Sequence, residues 1–107
     1  MILLTGASGG IGLDLFKSLA KKEKIIGITN QSELKAVKNS EIITIDLLDH
    51  QQINSFVKKY QTKLENITLI QLAVLSIDGL IANYDIEDAR KTFELNLISN
   101  MALVKTI

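Results

Sequence analysis

The chain alternates short apolar runs with amphipathic stretches along its whole length. Met1–Thr5 (MILLT) is a brief apolar lead that reads as a buried strand. In Ile11–Lys22, Ile11, Leu15 and Leu19 share one helical face while Lys17, Lys21 and Lys22 occupy another. Lys24–Thr29 (KIIGIT) is rich in β-branched residues and predicts a second strand. Ser32–Lys38 predicts a short helix with Ser32 as its N-cap. Glu41–Ile45 (EIITI) repeats the strand signature. Asp49 then takes a helix N-cap position, with Gln52 three residues on at the capping-box position. Ile53, Phe56, Val57, Tyr60 and Leu64 keep helical spacing after it, so that helix lays one face on a sheet. Ile67–Val74 (ITLIQLAV) is a fourth strand, and a last helix starts near Ile86 and runs to the final residue.

Four strands alternating with helices are the pattern of an α/β domain built on a parallel sheet with helices on both faces. The strands are continuous apolar runs, as expected where both sheet faces are covered. Right-handed crossovers then give the strand order 3-2-1-4.

Composition narrows the function classes. At 107 residues the chain is one domain, and 47% apolar content supplies a core. Twelve basic residues balance twelve acidic ones, which gives no basis for attraction to a nucleic-acid backbone. There is no cysteine, hence no disulfide and no thiol nucleophile. A metal site is not expected, because His50 is the single histidine and no cysteine accompanies it. His50 follows a helix cap and reads as a solvated surface group. The start lacks the basic region of a secretory signal, and no apolar run nears the ~20 residues of a spanning helix. The expectation is a soluble, cytoplasmic protein that binds neither nucleic acid nor membrane.

The chemistry is concentrated in Leu3–Gly12, LLTGASGGIG. Gly6, Gly9, Gly10 and Gly12 sit where the first strand passes into the first helix. Small residues there let a phosphate approach backbone amides, and the following helix aims its free N–H groups and positive dipole end at the anion. A turn of purely structural glycines is the alternative reading. The position of this turn, at the first βα junction of a βαβ pattern, favours nucleotide binding.

Thr5-Gly6-Ala7-Ser8-Gly9-Gly10-Ile11-Gly12 resembles the TGxxxGxG motif of the short-chain dehydrogenase/reductase family. Asp46-Leu47, after the third strand, is similar to the family's adenine-contacting pair, and FELNLISN to the helix that carries its asparagine, here Asn96. The stretch SIDGLIANYDIEDARKTFELNL is similar to β-ketoacyl carrier-protein reductases within the family. The resemblance covers the chain but only the N-terminal part of the family's Rossmann-type fold, so it implies a single domain over residues 1–107 that is incomplete at its C-terminal end.

What the resemblance implies is an NAD(P)-dependent oxidoreductase. Cofactor contacts fall on Gly6, Ser8, Gly9, Gly10, Ile11, Gly12, Thr29, Asn30, Asp46, Leu47 and Ala73. No carboxylate stands at Thr29 or Asn30, where NAD-preferring sites hold the ribose hydroxyls, and this favours NADP over NAD. Gln71-Leu72-Ala73-Val74 replaces the family's NNAG, keeping only the alanine and setting a branched Val74 where the family has glycine. Asn96 joins the catalytic group only in a completed enzyme. The family's catalytic serine and YxxxK segment belong beyond Ile107. Tyr60 begins only YxxK and lies on an apolar helix face, where it packs, and Tyr84 has Asp88 four residues on. The implied reaction in an assembled form is carbonyl reduction, with a 3-oxoacyl thioester as substrate. A non-catalytic dinucleotide-binding module or an inactive remnant is the alternative.

The last helix carries two apolar stripes: Phe93, Leu97, Met101 and Val104, then Leu95, Ile98 and Ala102. Such a helix expects partners on two sides. The fourth strand is also expected to be an open edge. The expectation is a homo-oligomer, or a pairing with a complementary C-terminal polypeptide.

Overall fold

The computed structural model describes residues 1–30, 34–75 and 83–107. Strand β1 (Ile2–Thr5) is followed by α1 (Gly10–Ala20), β2 (Ile25–Thr29), β3 (Ser40–Thr44), α2 (His50–Lys59) and β4 (Thr68–Gln71). A continuous helical rod closes the chain: α3 (Ile86–Phe93), a π-helical segment (Glu94–Ser99) and α4 (Asn100–Thr106). The four strands form one parallel sheet in the order β3-β2-β1-β4, as the alternating pattern predicts.

Pleating divides the core between the two faces. Leu3, Ile26 and Ile28 join Ile45, Ile53, Phe56, Val57, Leu64 and Leu103, beneath α2 and α4. Ile2, Leu4 and Ile25 face the other way and meet Ala7, Phe16 and Ala20 of the glycine turn and α1. The central strands β1 and β2 are buried at every position, as continuous apolar runs require. The flanking strands β3 and β4 are only partly covered.

Several boundaries depart from the sequence pattern. In α1 the buried face is Gly12, Phe16 and Ala20, while Ile11 is 79% exposed. The Ile11–Leu15–Leu19 stripe is therefore off by one position at its start: Leu15 and Leu19 pack against the core and Ile11 does not. Of the helix expected over Ser32–Lys38, the Ser32 cap lies outside the described residues, and Leu34–Lys38 is not helical. A tight turn replaces it. The Ser40 hydroxyl accepts from Val37 N and donates to Val37 O, and Asn39 takes a positive φ of 66°.

Helix α2 ends at Lys59, before Tyr60 and Leu64. Tyr60 nevertheless packs as expected. Its ring lies 5.1 Å from that of Phe56, and its hydroxyl donates to Glu41 Oε1 at 2.8 Å. That bond, with burial and the charge of Glu41, raises the phenol pKa above its usual value. The capping box also differs. Asp49 caps α2 by accepting from Gln51 N, and Gln52 donates through Nε2 to Asp49 Oδ2 at 3.2 Å while its Oε1 accepts from Asp46 N at 2.9 Å. The Asp49 N–H is already bonded to Asp46 O, so Gln52 is free to fix the preceding loop instead.

The π-helical segment explains why the last helix does not show its two stripes as two packed faces. Extra residues per turn shift the register of the rod. Leu95 and Ala102 pack on the core and Leu103 is fully buried, whereas Ile98 joins Phe93, Leu97, Met101 and Val104 at the surface. Among the described residues no helix is long and apolar enough to cross a membrane. Leu103→Ala is expected to cost about 2–4 kcal/mol of unfolding free energy by opening a cavity under α4. The neighbouring Val104→Ala is expected to stay within about 0.5 kcal/mol. Urea denaturation of the two variants separates them.

Candidate functional site

The site lies at the C-terminal ends of the parallel strands, where open α/β sheets form their binding crevice. Each strand leaves a short loop there. The Thr5–Gly9 turn, the Thr29–Asn30 end of β2, the Ile45–Leu48 loop after β3 and the Leu72–Leu75 segment after β4 surround a cleft of about 380 Å³. Leu95 of the final rod closes one side.

Two glycines determine the shape of the turn. Gly6 adopts φ +73°, and a Cβ there would stand 2.7 Å from Ala73 N and 2.8 Å from the Leu72 carbonyl carbon. A Cβ on Gly12 would land on the Gly6 carbonyl oxygen. The first turn of α1 thus sits directly on the loop, and the loop sits directly on the end of β4. Gly9 is the N-cap of α1 and provides no side-chain cap, and the first turn carries no acidic residue. The first bond into the helix runs from Leu13 N to Gly9 O. Ahead of it, the amides of Gly10, Ile11 and Gly12 find no acceptor among the described residues. An uncapped helix N-terminus beside a cleft is suited to an anion.

Most of the predicted contacts converge on this cleft. Gly6, Ser8, Gly9, Thr29, Asn30, Asp46, Leu47 and Ala73 all line it. Gly10, Ile11 and Gly12 form the adjoining first turn of α1. Thr29 is buried and its hydroxyl lacks a partner, whereas Asn30 is exposed at the rim. Asp46 already uses Oδ1 to accept from Leu48 N at 2.9 Å, which curls the loop after β3.

Three groups that hold the wall after β4 are not evident from sequence. Thr5 Oγ1 accepts from Ala73 N at 3.2 Å, and Gln71 Nε2 donates to Asn100 O at 3.1 Å. Asn96 donates through Nδ2 to Leu75 O at 2.9 Å and accepts through Oδ1 from Leu75 N at 2.8 Å. This paired contact reproduces what a neighbouring strand would offer, and it orders a segment where Leu72 lacks the amide of the family's asparagine. The polar Asn96, isolated among the apolar residues of LNLIS, is the one sequence signal of that role. Val74, between the two clamps, is 69% exposed at the mouth of the cleft. His50 is not simply solvated: its Nε2 lies 2.8 Å from Glu94 Oε1.

A model of the short chain dehydrogenase family matches residues 1–107. The chain belongs to that family. Within it, the chain is 29% identical to ketoacyl reductase HetN of Nostoc sp. across 99% of its own length and 41% of that protein's. A short chain dehydrogenase from Leptospira borgpetersenii, solved with bound NAD+, superposes with a TM-score of 0.86 at 22% identity, over 98% of this chain and 43% of that one. An NADPH-bound carbonyl reductase from chicken fatty liver superposes at 0.84 with 20% identity, covering 98% and 45%. The chain therefore spans less than half the length of each of these three proteins. The part it spans is the βαβ half that contains the glycine turn. The stretch Ser76–Ala82, part of the reductase-like segment, lies outside the described residues.

Asn96→Ala is expected to speed amide exchange at Leu75 by roughly tenfold and to cost about 1–2 kcal/mol, because both its backbone groups lose their partner. Exchange measured by NMR, with Asn100→Ala as a comparison, checks this.

Proposed function

We propose that this chain is the dinucleotide-binding portion of an NAD(P)-dependent oxidoreductase in the cytoplasm. The observation that carries the reading is the cleft whose edge is the uncapped first turn of α1, packed so closely on Gly6 that no side chain intervenes. A pyrophosphate fits there. It is small and doubly charged, and it needs amide donors where a Cβ would otherwise stand. The NAD+ and NADPH bound in the two superposed structures support a nicotinamide dinucleotide as the ligand. In this arrangement Gly10, Ile11 and Gly12 amides hold the pyrophosphate, Asp46 and Leu47 flank the adenine, and Ala73 borders the ribose on the nicotinamide side. Asn30 at the rim, with no carboxylate beside it at the end of β2, favours NADP over NAD.

When bound, such a cofactor supplies a hydride for reduction of a carbonyl, and a 3-oxoacyl thioester is the substrate we favour from the likeness to a ketoacyl reductase. The chain's own part is to bind, to orient and to exclude water. A proton donor for the reacting oxygen needs a tuned pKa within hydrogen-bond reach. Tyr60 does not serve, since its hydroxyl is given to Glu41 on the far edge of the sheet and its pKa is shifted upward. Asn96 holds the cleft wall and takes part in catalysis only in a completed site. The exposed stripe of Phe93, Leu97, Met101 and Val104 fits association with a second copy or with a complementary C-terminal polypeptide. A non-catalytic dinucleotide-binding module is the second reading.

Calorimetric titration of this chain with NADPH and NADH tests the proposal. Saturable binding of either is expected, tighter for NADPH, and lost in Gly12→Ala because the new methyl pushes α1 off the turn. Gly10→Ala, whose Cβ meets no protein atom within 4 Å, is expected to fold as the parent does. Failure of both dinucleotides to bind, or unchanged affinity in Gly12→Ala, overturns it. Sedimentation is expected to show self-association that Phe93→Lys with Leu97→Lys abolishes, and a compact monomer that fails to take up a hydrophobic dye contradicts it.

A further inference from the structure

The two walls of the cleft come from distant parts of the chain. Asp46, Leu47 and Leu48 form one, while Leu72–Leu75 and Leu95 form the other. Each is internally fixed. Gln52 holds Asp46 N, Asp46 holds Leu48 N and Asp49 caps α2 on the first side. Thr5 and Asn96 hold the backbone of Ala73 and Leu75 on the second. Neither set of bonds governs the distance between the walls.

Among the described residues, a polar contact spans that distance. His50, the first residue of α2, places Nε2 2.8 Å from Oε1 of Glu94, the first residue of the π-helical segment. Nε2 is shielded from solvent, and its approach to Glu94 is close without the alignment of a hydrogen bond. Glu94 stands two residues before Asn96, and His50 stands one after Asp49. This contact links the helical turn that clamps Leu75 to the helix cap that ends the Asp46–Leu48 loop. Asp46, Asp49 and Glu94 line the depression around His50, and Arg90 and Lys91 border the adjoining groove with Leu48 and Glu94. Arg90 is itself directed to Glu87, with Nε 3.5 Å from Oε1, which leaves Glu94 to His50.

We propose that His50 and Glu94 are positioning residues that hold the two walls of the cleft at a fixed spacing before a ligand arrives; the ligand in question rests on the reading of the cleft as a dinucleotide site. A whole dinucleotide touches both walls and gains from this preorganisation, whereas a mononucleotide that occupies only the adenine side does not. Both side chains are about two-fifths exposed, so the effect is of the size measured for partly solvated ion pairs, about three- to fivefold in affinity.

The test compares His50→Ala, Glu94→Ala, the double alanine variant and the exchanged pair His50→Glu with Glu94→His. Glutamate at the first position of α2 is favoured by the helix dipole, so the exchanged pair is compatible with folding. Affinity for NADPH is expected to fall about three- to fivefold in each single variant and no further in the double variant. The exchanged pair is expected to return it to within about twofold of the parent, with AMP affinity constant throughout. Independent, additive losses, an equal loss for AMP, or no recovery in the exchanged pair overturns the proposal. Amide exchange in the ligand-free chain separates this from failure of the functional reading. If the parent binds no dinucleotide, faster exchange across Glu94–Ser99 in both single variants, reversed in the exchanged pair, sustains the link between the walls. Unchanged exchange removes it.

Discussion

Three stretches of backbone meet at Gly6 with no side chain between them. The loop after β1 turns back there at φ +73°, the first turn of α1 rests on its carbonyl through Gly12, and the end of β4 presses from the third side at Leu72 and Ala73. Every feature of the cleft follows from that contact. Because α1 starts so close to β1, its free amides stand at the rim and not out in solvent. Because β4 abuts the loop, the wall it forms is in reach of the same ligand. The threonine before Gly6 contributes from within the core, its hydroxyl accepting from Ala73 N. A methyl group at either glycine would separate layers that the sheet otherwise brings together.

The second organising element is the final helical rod. A regular α-helix would have placed Asn96 by 3.6-residue steps. The π-helical segment over Glu94–Ser99 resets that count, and Asn96 meets both backbone groups of Leu75 while Leu103 still reaches the core. The same reset brings Glu94 to His50 and turns Phe93, Leu97, Ile98 and Met101 outward. One local irregularity thus fixes the cleft wall and exposes an apolar face together.

The strand order and the glycine turn were legible from sequence because each depends on strong local signals. Central strands in a parallel sheet are apolar on both faces, so β1 and β2 stand out as unbroken runs. The glycines of Leu3–Gly12 have few alternatives at a βα junction, and Asp49 announces α2 as a cap should. What was not legible depends on tertiary contacts. Ser40 builds a turn with Val37 where helical propensity expected a helix, Gln52 turns its carbonyl oxygen to Asp46 N because the Asp49 amide is already bonded, and Ile11 is exposed because the tight glycine packing rotates α1. The π-helical segment has no periodic signature in six residues, so the clamp by Asn96 and the pairing of His50 with Glu94 could not be derived from spacing.

The most direct test of the central claim is a ¹⁵N–¹H correlation spectrum of the chain titrated with ADP-ribose, which carries the pyrophosphate without the nicotinamide. If the first turn of α1 cradles the pyrophosphate, the amides of Gly10, Ile11 and Gly12 shift most, saturating together, with those of Asp46 and Leu47 following. If those three amides stay in place while resonances elsewhere move, or none moves at saturating ligand, the glycine contact is a packing device and the account fails.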